Sequence, residues 1–253
     1  LEEDGFVVLE GFLTAAESDE LRSAGEQLTT ELPDRDARSV FSTTNKQSND
    51  KISYFFESEA LKADGELAVD PAVSLNKVGH ALHLLHPMFR CYTYSDRVKA
   101  VCQQLGFVEP AVVQSMYIYK NPGIGGEDAT YLHTDPVPAV GFWIALEDAT
   151  VQNGCLWMAR GSHRSGVHRR LIMNFVEYRL KLVIVSGTCI LIHGHVVHKS
   201  APNQSARSRH AYTFHVVERR GNSYAPDNWL QEGEKAPFLN LYTTPQMISC
   251  VYN

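Results

Sequence analysis

Hydrophobic and polar positions along the first thirty residues predict a strand followed by a helix. The run Asp4-Gly5-Phe6-Val7-Val8-Leu9 is apolar after a turn and is predicted as a short strand. Thr14-Ala15-Ala16-Glu17 has the spacing of a capping box, in which the threonine and glutamate side chains bond the first free backbone N–H groups of a helix. Leu21 and Leu28 continue an apolar face, so we expect a helix over about residues 15–30.

The next part of the chain is predicted as a loop and then as helices. Residues 33–50 are polar and favour a loop. Over residues 72–107, apolar positions recur at helical spacing, and Gly106 suits the end of the last helix. The positions that carry this pattern are Val78, Leu82, Leu85 and Phe89, followed by Val98, Val101, Cys102 and Leu105.

The pattern changes after Pro110 to short runs of β-forming residues separated by Gly, Asn and Ser. Helices first and short strands afterwards favour a mainly β fold with supporting helices, in which a helical layer covers an antiparallel sandwich or barrel. We see no repeat, low-complexity segment or linker. We therefore expect one domain over residues 1–253, with a helical part at about 14–107 and a β core at about 110–218. The predicted strands are 112–119, 140–146, 156–158, 182–185, 188–193 and 211–217.

Composition and charge exclude several classes of protein. The chain has 253 residues, 44% of them hydrophobic, and a net charge of −6 without any Lys/Arg-rich tract, so we expect no nucleic-acid partner. Five cysteines without CxxC spacing indicate a reducing compartment, with neither a disulfide framework nor a cysteine zinc site. No apolar run is long enough to cross a bilayer, and no signal-peptide pattern occurs, so we expect a cytoplasmic protein without a membrane partner. We also expect a monomer. Since the chain opens at Leu1, whether a presequence precedes it stays open.

Two residues near the end of the predicted β core suggest chemistry. His198 belongs to the polar segment His193-Gly194-His195-Val196-Val197-His198-Lys199-Ser200, which follows an apolar strand. A histidine there is either a hydrogen-bonded structural residue or a metal ligand. Arg209 lies eleven residues later, before another strand, and a buried guanidinium needs a partner. That partner is either a structural ion pair or a small dicarboxylate held by a bidentate contact.

A histidine ligand followed by a carboxylate-binding arginine is what a 2-oxoglutarate enzyme needs. Such enzymes hold Fe(II) with two histidines and one carboxylate. The first histidine and the carboxylate usually form a His-X-Asp pair, because residues i and i+2 share one face of a strand. By spacing alone, His133-Thr134-Asp135 is a candidate pair.

Six blocks in order resemble the phytanoyl-CoA dioxygenase family, and the likeness runs from residue 1 to about residue 243. The resemblance implies a double-stranded β-helix (jelly-roll, cupin-like) core. It also implies an Fe(II)- and 2-oxoglutarate-dependent dioxygenase that hydroxylates an unidentified small-molecule substrate and releases succinate and CO2. The alternatives are a catalytically impaired binding or regulatory protein on the same fold, and a metal-dependent hydrolase or isomerase. The blocks are residues 4–6, 76–83, 114–120, 153–156, 161–163 and 193–200.

The resemblance also assigns the metal ligands. In the family, the aspartate ligand is followed by an aromatic residue three positions on and a proline eight positions on, and Asp128 meets both conditions. By the same comparison His198 is the distal histidine ligand. His133 and Asp135 then become loop residues after the ligand, and the less favoured substitute pair.

The family's first histidine ligand is absent before Asp128, because Gly125-Gly126-Glu127 runs directly into the aspartate. The chain also looks short around Gln47-Ser48 and between residues 174 and 178. Either short segments are omitted from the sequence or the natural protein has lost them. We favour omission, and a true deletion would imply an impaired metal site.

The resemblance places five side chains around 2-oxoglutarate. Arg209 would hold the distal carboxylate and Ser200 would add a hydroxyl. Trp143 would form an apolar wall, although barrel core is an almost equal interpretation. Without the resemblance, Lys77 would be a solvated helix lysine. The five residues are Lys77, Met116, Trp143, Ser200 and Arg209.

Overall fold

A computed structural model describes residues 1–41, 51–124, 139–165 and 179–246. Within these ranges the strands form one eight-stranded sheet and one three-stranded sheet. The large sheet has the order β1-β9-β6-β11-β5-β4-β3-β2, and the small sheet has the order β10-β7-β8. All pairs are antiparallel except β2 with β3. The strands are β1 (Phe6–Leu9), β2 (Ser39–Val40), β3 (Ile52–Phe56), β4 (Leu75–His80), β5 (Pro110–Ile118), β6 (Ala139–Ala145), β7 (Leu156–Ala159), β8 (Arg179–Leu182), β9 (Cys189–His193), β10 (His198–Ser200) and β11 (Ala211–Glu218). The α-helices are α1 (Ala15–Leu28), α2 (Leu82–Leu85), α3 (Pro87–Thr93) and α4 (Asp96–Gln104).

Helix α1 begins where the sequence predicts. The Thr14 side chain accepts a hydrogen bond from the Glu17 backbone N–H, and the Glu17 carboxylate accepts one from the Thr14 backbone N–H. This reciprocal pair is the predicted capping box. The helix buries Leu21 and Leu28 against the large sheet, and it ends two residues before the predicted boundary.

The prediction of helix over residues 72–107 is wrong for its first part. Residues 75–80 form strand β4, which pairs with β3 and β5, and α-helix occurs only within residues 82–104, in three segments. The pattern misleads because β4 is buried on both faces, so apolar residues do not alternate with polar ones. The part at about 14–107 was predicted to be helical, but it also contributes strands such as β3 to the large sheet.

Several smaller predictions also need correction. The expected loop at 33–50 contains a 3-10 turn and strand β2 within its described part, and residues 42–50 lie outside the described ranges. Strand β8 ends at Leu182, whereas the prediction placed it at 182–185, and strand β10 was not predicted. Cys91 is disulfide-bonded, which the cysteine spacing did not indicate. In the described part of the chain, no helix combines the length and the apolarity needed to cross a membrane.

The large sheet separates two hydrophobic cores, and β6 shows why. Phe142 and Ile144 point to the helices, while Trp143 and Ala145 point to the small sheet. This alternation is the two-residue period of a strand with both faces buried. Two antiparallel sheets facing each other, with helices behind the larger one, form the double-stranded β-helix with supporting helices that the sequence predicts.

Candidate functional site

The inner face of the large sheet carries three of the predicted pocket residues. Strand register aligns Met116 of β5 with Thr213 of β11, which in turn is opposite Trp143 of β6. Lys77 of β4 is aligned with Ile118, two residues along β5 from Met116. Directly paired residues share a face, so Lys77, Met116 and Trp143 all lie on the side that faces the small sheet.

Arg209 lies just before β11, at the edge of this face. It is 1% exposed, and its guanidinium carbon is 5.1 Å from the centre of the Trp143 ring. Its backbone N–H donates to the Lys120 carbonyl at 3.3 Å, and the Asn203 side chain donates to the same oxygen at 2.9 Å. The arginine is therefore held by its backbone and stacked over an aromatic face, a preferred setting for guanidinium groups.

The small sheet contributes His198 and Ser200 from β10. They pair with Met158 and Leu156, whose side chains belong to the core between the sheets, so His198 and Ser200 face the same way. Ser200 is 2% exposed, and its hydroxyl donates to the Gly154 carbonyl at 2.8 Å. The two strand pairs therefore bring His198 and Ser200 toward the face that carries Trp143.

The His198 ring has a defined tautomer. Its Nδ1 lies 3.1 Å from the Val196 carbonyl oxygen, which can only accept a hydrogen bond, so Nδ1 carries the proton. In the neutral ring the lone pair is then on Nε2, the arrangement that a metal-binding histidine uses. Sequence reasoning selected this residue, and the structure gives it a chemistry that fits the role.

The described residues do not form a complete metal site. Within them, no three His, Cys, Asp or Glu side chains are grouped closely enough to hold an ion. Asp128, His133 and Asp135 lie outside the described ranges, so the assignment of Asp128 as a ligand stays a prediction. His198 is thus the one described residue among the predicted ligands.

A buried network supports the arginine from the other face of the sheet. The Tyr117 hydroxyl lies 2.8 Å from His210 Nδ1, and the Glu147 carboxylate accepts the His210 backbone N–H at 2.8 Å. Burial lowers the pKa of His210 to about 4, against the opposing effect of Glu147. His210 follows Arg209 directly, so this network fixes the start of β11 and with it the arginine.

Sequence reasoning missed His80, Gln114 and His215 as residues of this region. Gln114 is opposite His215 in the pairing of β5 with β11, and Gly141 of β6 is opposite His215 on the other side. Gln114, His215 and Gly141 each lie two residues along their strands from Met116, Thr213 and Trp143. They therefore share the face on which Met116 and Trp143 lie. The two-residue alternation from Met116 would have found Gln114, but His80 was assigned to a helix.

Stability should fall in mild acid because several histidines are buried in the neutral form. Burial lowers the pKa of His80 and His83 to about 3, with Lys77 and Arg90 adding to the effect. An unfolded histidine titrates near 6.5. Between about pH 6.5 and pH 3, the unfolded chain binds protons that the folded protein excludes, so the free energy of unfolding falls as pH falls.

At pH 5 we expect a loss of about 1–2 kcal/mol for each of these two histidines relative to pH 7.5, measured by urea denaturation. Between pH 7.5 and pH 8.5 they are neutral in both states and contribute no change. A His83→Asn variant should lose less stability between pH 7.5 and pH 5 than the unsubstituted protein. An equal loss would contradict a neutral, buried His83.

Sequence comparison identifies relatives along almost the whole chain. The family model "Phytanoyl-CoA dioxygenase (PhyH)" matches residues 1–211. Phytanoyl-CoA dioxygenase domain-containing protein 1 of Bos taurus is 42% identical, over 96% of each chain. The phytanoyl-CoA dioxygenase of Arabidopsis thaliana is 41% identical, over 91% of this chain and 90% of the relative. The bovine alignment covers 279 positions, more than the 253 residues of this chain, in keeping with internal segments that are shorter here.

Solved structures agree on the fold. EctD from S. alaskensis, solved with 2-oxoglutarate and 5-hydroxyectoine, has a TM-score of 0.66 at 19% identity, over 93% of this chain and 83% of that one. SnoN, a non-heme alpha ketoglutarate dependent epimerase from nogalamycin biosynthesis, has a TM-score of 0.64 at 15% identity, over 93% of both chains. At these identities the likeness shows a shared fold. The sequence matches go further, and the chain belongs to the phytanoyl-CoA dioxygenase family.

Proposed function

We propose that this protein is an Fe(II)- and 2-oxoglutarate-dependent dioxygenase that hydroxylates a small-molecule substrate. The observation that carries the proposal is the buried Arg209, stacked on Trp143 at the side of the large sheet that faces His198 and Ser200. A buried cation at the edge of a pocket is costly unless a ligand or a protein anion compensates it. A carboxylate-binding arginine beside a metal-ligand histidine is the arrangement that 2-oxoglutarate needs.

Each residue has a separate task in this proposal. His198 and Asp128 would hold Fe(II). When bound with 2-oxoglutarate, Fe(II) would supply activation of dioxygen, with one oxygen atom entering succinate as CO2 is released and the other entering a substrate C–H bond as a hydroxyl group. Arg209 would bind the distal carboxylate through two parallel N–H donors. Ser200 would add a third donor once its hydroxyl rotates away from the Gly154 carbonyl. The Trp143 ring would keep water away from the arginine, which strengthens its contact with the carboxylate.

Turnover of 2-oxoglutarate tests this function. With Fe(II), ascorbate and air, the protein should convert 2-oxoglutarate to succinate and CO2 in equal amounts, slowly without substrate and faster with it. A His198→Ala variant should lose this turnover, because the chain then lacks its distal histidine ligand. A Lys199→Ala variant is the matched control, since that side chain lies 5.3 Å from the Trp157 ring on the outer side of the small sheet. Equal succinate formation by wild type and His198→Ala would contradict the assignment.

A second candidate is a binding protein with an impaired metal site. The sequence Gly125-Gly126-Glu127-Asp128, without a preceding histidine, favours it. The intact mass of the natural protein separates the two. A mass near the 28.3 kDa of this sequence favours a true deletion and the binding protein. A heavier protein favours a complete dioxygenase when peptide sequencing by mass spectrometry places added residues directly before Asp128 rather than at a terminus.

A further inference from the structure

A buried lysine lies beside the proposed 2-oxoglutarate pocket. Lys77 is 8% exposed and rests against the Phe41 ring, with its ammonium 4.6 Å from the ring centre. Among the residues that the structure describes, no carboxylate forms an ion pair with it. A buried ammonium is stable only when a counter-charge or strong acceptors compensate it, so the site favours an anionic ligand.

His80, three residues further along the chain, has a buried ring nitrogen that no other described residue contacts through a hydrogen bond. The residue is 1% exposed, and its Nε2 has no hydrogen-bond partner within the described ranges. Its other nitrogen, Nδ1, lies 2.8 Å from Gln114 Nε2. Most buried polar groups are hydrogen-bonded, so an exception of this kind beside a pocket points to a ligand.

The tautomer of His80 follows from its neighbours. Gln114 Nε2 also lies 3.7 Å from the Met116 sulfur, which can only accept, so the amide nitrogen and not the oxygen is on this side. The amide therefore donates to His80 Nδ1, which must carry the lone pair. Burial, with Lys77 nearby, keeps the ring neutral at pH 7 by lowering its pKa to about 3. Hence Nε2 carries the proton and is a hydrogen-bond donor.

Aromatic rings surround these two donors. The His80 ring centre lies 5.1 Å from that of Trp229, 5.2 Å from that of Phe55 and 5.8 Å from that of Phe41. The Trp229 and Phe41 rings also contact each other at 6.0 Å. Such walls exclude water, which strengthens a charge-assisted hydrogen bond to a bound anion.

We propose that Lys77 and His80 form a carboxylate subsite, in which the His80 Nε2–H donates to one oxygen of the ligand and the Lys77 ammonium supplies the charge. Gln114 is a positioning residue that fixes the donating tautomer of His80. The proposal rests on the proposed function for the identity of the adjoining pocket, and it adds His80 and Gln114 to the residues that serve it. The carboxylate comes from 2-oxoglutarate or from the primary substrate, and the chemistry of recognition is the same.

Calorimetric titration at pH 7.5, with Mn(II) present, tests the subsite. His80→Phe keeps an aromatic wall but removes the donor, and we expect about 10-fold or greater weakening of carboxylate binding. His80→Gln keeps an amide donor and should stay within about threefold of wild type. Gln114→Leu removes the amide that fixes the tautomer of His80, and it should weaken binding less than His80→Phe does. His86→Phe is the matched control, because its ring packs on Phe89. Thermal melting establishes that every variant is folded.

Two ligands distinguish the sources of the carboxylate. If His80→Phe weakens the binding of 2-oxoglutarate itself, the subsite serves the cosubstrate. If His80→Phe leaves the affinity for 2-oxoglutarate unchanged but weakens the binding of hexanoate to the 2-oxoglutarate complex, the subsite serves the substrate. If the protein binds hexanoate in a way that depends on His80 but does not bind 2-oxoglutarate, the result would support the subsite and contradict the proposed function. Unchanged binding of both ligands by folded His80→Phe, or no binding of either by wild type, would overturn the subsite.

Discussion

Replacing Arg209 by leucine is expected to weaken 2-oxoglutarate binding by about 100-fold or more, equivalent to about 3 kcal/mol. The side chain is 1% exposed and its guanidinium lies over Trp143, and leucine supplies neither a charge nor an N–H donor in its place. A carboxylate held there loses both its charge partner and its two parallel hydrogen bonds. The affinity is measured by calorimetric titration of 2-oxoglutarate in the presence of Mn(II).

Two further substitutions control for charge and for fold. Arg209→Lys keeps the positive charge but loses the bidentate geometry, and its affinity should fall between those of wild type and Arg209→Leu. Arg219→Leu removes an arginine that is 44% exposed and paired with Glu232, and it should leave the affinity unchanged. If folded Arg209→Leu binds 2-oxoglutarate as tightly as Arg219→Leu does, Arg209 does not hold the cosubstrate.

Replacing Gly25 by alanine is expected to destabilise the protein by about 2–4 kcal/mol, although alanine is the better helix former. Gly25 lies inside α1, where propensity alone would favour alanine by about 1 kcal/mol. An added Cβ would, however, overlap the ring of Tyr117, the residue that contacts His210 behind Arg209. The ring is fully buried, so α1 has to move away from the sheet.

Urea denaturation of four variants, Gly25→Ala, Ser23→Ala, Tyr117→Leu and the Gly25→Ala/Tyr117→Leu double variant, measures this effect. Ser23→Ala, at an exposed position of the same helix, isolates propensity and should be neutral or slightly stabilising. Gly25→Ala with Tyr117→Leu should lose less stability than the sum of the two single changes, because the overlap with the ring is gone. Equal stability of Gly25→Ala and wild type would show that α1 does not pack on Tyr117 as the structure describes.

The β core is predictable from the sequence because its strands are short, apolar and separated by turn residues. Strands β6, β9 and β11 lie close to their predicted bounds, and Asn153-Gly154 precedes β7 as a turn should. The local sequence pattern does not predict the order of these strands in the sheet. That order depends on pairing between residues far apart in sequence, such as β1 with β9.

Strand β4 shows where local reasoning fails. Both faces of this strand are buried, and residues 78, 82 and 85 recur at a helical interval that spans the end of β4 and the whole of α2. A short window cannot separate these cases by periodicity alone. The error also affected the prediction of the site, because it treated Lys77 as a helix lysine and did not place it beside His80.

The site was predicted unevenly. Residue chemistry selected Arg209 and the segment 193–200, and the family resemblance then selected His198 within that segment. The structure buries Arg209 and orients the His198 ring through the Val196 carbonyl. The family resemblance selected Lys77, Met116 and Trp143, which strand register places on one face. Two-residue alternation from Met116 would have indicated Gln114, but the pairing of β4 with β5 was needed to place it beside His80. Asp128 lies outside the described residues, so its part in the site stays a prediction.

The most direct test of the central claim is anaerobic titration of the natural protein with Fe(II) and 2-oxoglutarate, followed by visible absorption. We expect a metal-to-ligand charge-transfer band that requires both components and is lost in His198→Ala. The band forms only when 2-oxoglutarate chelates iron, so it reports the proposed site without needing the unknown substrate. Absence of the band in folded protein that contains iron would contradict the dioxygenase and favour a binding protein on the same fold.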